Sequence, residues 1–165
     1  MILGMSLSAF TTLHGVISLI AIAAGFLCLF GLLAPRRLPL LNAVFLTLTA
    51  LTSITGFFFP FKGVTPGIVL GILSLIVLAL AATARYVGHM AGAWRGTYVI
   101  SAGVALYFNV FVLIAQSFQK VPALHALAPT QTETPFKIAQ LATLILLIAL
   151  TVLAFRRYRP LPATA

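Results

Sequence analysis

The chain has 165 residues, of which 62% are hydrophobic and 7% charged, with a mean hydropathy of +1.17. A soluble domain carries about a quarter of its residues as charges, so this composition belongs to an integral membrane protein. The formal charge of +9 sets ten Lys and Arg against one acid. In a soluble protein that balance would point to nucleic acid; here the basic residues stand at the ends of apolar runs, which points to membrane topology instead and to no nucleic-acid partner.

Five apolar runs follow in chain order, at about residues 8–33, 40–59, 66–87, 96–118 and 135–155. All nine prolines fall between the runs or in their first turns, where proline is tolerated in a helix. Each run is about 20 residues or longer, enough to cross a hydrocarbon core of about 30 Å as a helix. Strands would need alternation, and the runs show none. The expected fold is therefore all-α, one integral membrane bundle of five transmembrane helices over residues 1–165. PALHALAP, between helices 4 and 5, is expected to form a short interfacial helix.

Orientation is read from the arginines. With the N-terminus outside and the C-terminus cytoplasmic, Arg36, Arg37, Arg85, Arg95, Arg156, Arg157 and Arg159 lie inside, where they also meet anionic lipid, and Lys62, Lys120 and Lys137 lie outside. Phe57, Phe58, Phe59, Phe61, Phe118 and Phe136 would line the outer boundary, and Tyr86, Trp94, Tyr98 and Tyr158 the inner one. The first run has no basic segment before it and no cleavage site after it, so it is expected to be a retained span.

The polar residues within the spans are expected to crowd toward the outer half. Thr11, Thr12, His14 and Ser18 lie there on the first helix, and Thr52, Ser53 and Thr55 on the second. On the fourth, Tyr98, Ala102, Ala105, Asn109, Val112 and Gln116 share one stripe by their spacing of four and three. Together with Gln140, His125 and Glu133, the residues His14, Asn109 and Gln116 form the candidate ligand-binding set. Each also has an ordinary reading. Serine and threonine satisfy themselves on their own helix, and asparagine and glutamine join neighbouring helices. Gly67 with Gly71, and Ala21 with Gly25, would let helices approach closely.

The lone cysteine, Cys28, excludes an intrachain disulfide and a thiolate cluster, and the absence of aspartate removes paired-carboxylate chemistry. His14 and His125 are weak candidates for a haem or metal ligand pair; no cofactor is expected, and no catalytic residue is assigned. Glu133 fits the start of the fifth helix, with Thr134 as cap, Pro135 in the first turn and Lys137 as an ion-pair partner.

The stretches ITGFFFPF (54–61) and VPALHALAPTQTE (121–133) resemble small multi-span proteins of bacterial inner membranes. The resemblance implies a bacterial cytoplasmic membrane and brings no known activity with it. The favoured expectation is an accessory or structural subunit of a larger membrane complex, of respiratory or photosynthetic type, partnered by membrane lipids and by another membrane protein or by copies of itself. The alternative is a binding or transport protein whose outer-leaflet pocket takes a quinone or lipid. A third is an outer-face enzyme using His125 and Glu133.

Overall fold

The structure is a computed structural model and describes residues 1–34, 38–60, 63 and 65–158. It consists of α1 (Leu7–Leu33), α2 (Pro39–Gly56), α3 (Pro66–Ala82), α4 (Ala93–Lys120), the short α5 (Pro122–Leu127) and α6 (Thr134–Arg157). Five of these, all but α5, are long and apolar enough to cross a membrane, with α3 extended by a π-helical turn over Thr83–Val87. The molecule is thus a multi-pass helical bundle, as its composition requires.

Local chemistry sets the helix starts. Ser6 caps α1 by accepting from the Ala9 amide, and Thr65 caps α3 by accepting from Ile68. Proline occupies the first turn of α2, α3, α5 and α6, where its missing N–H costs nothing. The chain turns from α3 into α4 through His89 and Met90, both at positive φ, so this connection is tight and the π turn runs straight into it.

α4 is the hub. It packs against α1, α3 and α6, while α1 and α2 form the most extensive helix pair. Half of α4's most apolar window is buried, against 11% for α6 and 22% for α3, so those two helices stand at the rim. The centre is filled by Phe45, Leu106 and Val99, all nearly or wholly buried. Close approach depends on glycine at two points. A β-carbon at Gly25 would stand 2.7 Å from Leu106 and 2.8 Å from the Phe45 ring, and one at Gly103 would stand 2.3 Å from the Thr151 hydroxyl. Gly71 meets Phe57 in the same way, but a β-carbon at Gly67 would meet only the Thr65 hydroxyl, at 3.7 Å, so only one member of that expected pair lies at a close contact.

Both ends of the bundle are now defined. Arg85, Arg95, Arg156 and Arg157 mark one, called here the arginine end; His14, Lys120, α5 and Glu133 mark the other, called the loop end. Arg36, Arg37, Arg159, Lys62 and Phe61 lie outside the described residues.

Candidate functional site

The polar groups inside the bundle are hydrogen-bonded in pairs that join helices. At mid-depth, Asn109 of α4 donates from Nδ2 to the Thr49 hydroxyl of α2 at 3.0 Å, and Thr49 is wholly buried. Toward the loop end His14 of α1 meets the Thr55 hydroxyl of α2 at 2.8 Å, and the Phe59 ring stands edge-on to the imidazole at 5.2 Å. One turn deeper, Ser18 reaches Thr52 at 3.3 Å. α1, α2 and α4 are therefore tied by a short ladder of side-chain bonds, each contributing about 1 kcal/mol or less in a membrane.

Glutamine does the same for the last helix. Gln140 of α6 donates to the Phe111 carbonyl of α4 at 3.1 Å, and Gln131 in the loop donates to the Ala115 carbonyl at 2.6 Å. Each uses the second lone pair of a carbonyl one turn from the other. Of the six candidate residues, Gln140 alone holds a buried atom without a partner among the described residues, its Oε1.

The arrangement corrects several expectations. Gln116 is exposed, as is Val112, so the stripe on α4 is buried only from Tyr98 to Asn109. Tyr98 pairs with Asn42 and Asn109 with Thr49, at sequence offsets of 56 and 60, so α2 and α4 drift out of step and the stripe on α4 does not hold Gln116 against α2. His125 lies exposed on α5 without a hydrogen-bond partner among the described residues, whereas His14 is turned onto α2 and Phe59. No hydrogen bond joins any two of His14, Asn109, Gln116, His125, Glu133 and Gln140.

Glu133 stands immediately before α6, but its carboxylate points back into its own loop. Oε1 accepts from the Thr130 amide at 3.1 Å and the Thr130 hydroxyl at 2.9 Å, and Oε2 accepts from the Thr132 amide at 3.0 Å. It neither caps the helix amides nor pairs with Lys137 among the described residues, and Thr134 is the first helical residue instead of the cap. Desolvation pushes the carboxyl up, but the bonds from Thr130 and Thr132 outweigh it and hold the group below its ordinary value. Three donors for one carboxylate make this a loop clasp.

The arginine end holds a polar joint built on Asn42, a residue outside the candidate set. Tyr98, expected at the membrane boundary, is wholly buried and donates its phenol hydrogen to Asn42 Oδ1, while Asn42 Nδ2 donates to the Leu38 carbonyl at 2.6 Å. The Arg85 guanidinium covers the Tyr98 ring at 5.5 Å and the Tyr86 ring at 5.8 Å, with Met90 Sδ at 3.5 Å from Nη1. Polar side chains are thus shared between the two ends, against the expected crowding. Asn42 at the start of the second run was the available signal. Arg95 likewise does more than mark topology: its Nη1 donates to the Phe155 carbonyl at 2.9 Å and to the Tyr158 carbonyl, satisfying groups that the end of α6 leaves open. Arg156 and Arg157 are exposed.

Apolar side chains are exposed along α1 and α3 as well as along α6. On α6, Ile138, Leu141, Ile145, Ile148, Val152 and Phe155 are all exposed and recur at intervals of three and four. Between α3 and α6, which both lie on α4, a groove of about 530 Å³ opens sideways at the arginine end. None of the six candidate residues lines it. No three residues among His, Cys, Asp and Glu gather into a metal-binding group among the described residues.

Fold and joints together define a polytopic α-helical membrane protein with polar ties between its spans. No protein-family model, curated protein or solved structure matches the chain.

Proposed function

We propose that the protein is a small five-pass accessory subunit of the bacterial cytoplasmic membrane, N-terminus outside, that attaches to a larger membrane complex of respiratory or photosynthetic type. The observation that carries this reading is the outward stripe of α6. Its intervals of three and four residues match the seam by which one helix packs along another, and the other described residues leave it uncovered. The consumption of Asn109, His14 and Gln140 in joints between helices supports it too, because groups committed to holding a bundle together have little left for chemistry. The enzyme reading has less behind it, since Glu133 is occupied by its own loop and His125 has no described partner.

Affinity purification of the full chain from native membranes in mild detergent tests the proposal. A stoichiometric larger membrane protein should accompany it, and substituting Ile145→Arg should release that protein while the bundle stays folded. Recovery of the chain alone, or only with copies of itself, would overturn the subunit reading.

A further inference from the structure

The groove at the arginine end has a floor, two walls and a charged rim. Gly96, Ile100 and Val104 of α4 make the floor, Val77 and Leu80 of α3 one wall, and Phe155 of α6 the other. A recess open to the bilayer interior does not stay empty, because its lining would lose dispersion contacts along its whole length. The question is what fills it. From Gly96 to Val104 the floor runs eight residues of α4, about 12 Å, and the groove holds about 530 Å³, so a slender hydrocarbon chain fits along it.

Charge decides the headgroup. Arg95 stands on the rim, and only its Nη1 is used by the α6 carbonyls; Nε and Nη2 have no partner among the described residues. The chain's single acid, Glu133, is at the opposite end of the bundle, so no acidic side chain answers Arg85, Arg95, Arg156 or Arg157. A guanidinium with its fork partly open pairs with a phosphate through parallel hydrogen bonds. We infer that this groove is a binding site for an anionic phospholipid, with one acyl chain lying on Gly96, Ile100 and Val104 between α3 and α6 and its phosphate on Arg95. The site lies apart from the α6 stripe except at Phe155, and it would stand even if no partner subunit were found.

The test is native mass spectrometry of the purified full chain, delipidated in detergent and given phosphatidylglycerol or phosphatidylcholine with identical acyl chains. Phosphatidylglycerol should be retained roughly fivefold more than phosphatidylcholine, because choline cancels the phosphate charge and removes the attraction of about 1 kcal/mol between one basic residue and a net anionic lipid. Ile100→Trp, which obstructs the middle of the groove floor and keeps every charge, should weaken retention of both. Arg95→Gln should erase the preference, whereas Arg157→Gln, the same loss of charge away from the groove, should leave it. Equal retention of the two lipids by the wild type would overturn the proposal. So would unchanged phosphatidylglycerol retention in Ile100→Trp, equal effects of Arg95→Gln and Arg157→Gln, or a dimer whose cross-links at Leu80 show a second copy covering the groove.

Discussion

Tyr98 gives its phenol hydrogen to the side-chain oxygen of Asn42, joining α4 to α2 near the arginine end, with the tyrosine wholly buried and the asparagine 6% exposed. Removing the hydroxyl leaves a buried amide oxygen without a donor, and such a group costs about 1–3 kcal/mol. Tyr98→Phe should therefore destabilise the bundle by that amount in equilibrium unfolding from mixed micelles. Adding Asn42→Leu should cost less than the sum of the two single changes, because the orphaned acceptor goes with it.

The tie at mid-depth is open to the same analysis. A double-mutant cycle of Asn109→Leu and Thr49→Val should give a coupling energy of about 1 kcal/mol, the scale of hydrogen bonds between helices in membranes. Fully additive single effects would mean that the two side chains do not act together.

Two glycines should respond with opposite signs. Gly103→Ala pushes a methyl group against the Thr151 side chain and should lower stability by about 1–3 kcal/mol, since α4 and α6 must separate to admit it. Gly67→Ala meets only the Thr65 hydroxyl, at 3.7 Å, so the gain in helix propensity should prevail and raise stability by about 0.5–1 kcal/mol. Thermal denaturation in detergent, followed by size-exclusion fluorescence, separates the two.

The loop before α6 should be sensitive to acid. Because Glu133 has a lowered pKa in the folded loop, it favours the clasp at every pH above the ordinary carboxylate value, and that support is lost as pH falls through the lowered one. Protection of the Thr130 and Thr132 amides from hydrogen exchange, measured relative to their intrinsic exchange rates at each pH, should then fall on acidification below the ordinary carboxylate range. In Glu133→Gln that protection should be lower at neutral pH, with little further response to acid.

Much of the fold was legible in the chain because bilayer thickness and backbone hydrogen bonding leave few solutions for apolar runs of this length between prolines. Side-chain partnerships were harder to read. Tyr98 stands five residues into α4, a position that suits a boundary aromatic equally well, and only its register with Asn42 buries it. Gln116 shares its helix face with Asn109, but α2 and α4 drift out of step between their two joints and it is left exposed. Glu133 precedes a helix as a capping residue would, yet the Thr130 and Thr132 amides lie closer to hand than those of α6. In each case the outcome depended on where a neighbouring segment ends or turns, which periodicity within one helix does not encode.

As a subunit of the kind proposed, the protein would meet its larger partner along the α6 stripe centred on Ile145. Placing a photo-crosslinking amino acid at Ile145 and irradiating native membranes tests it most directly. A single adduct with a larger membrane protein, absent when the probe is moved to the buried Leu147, is the predicted result. Adducts with lipid alone, or with a second copy of this chain, would contradict it.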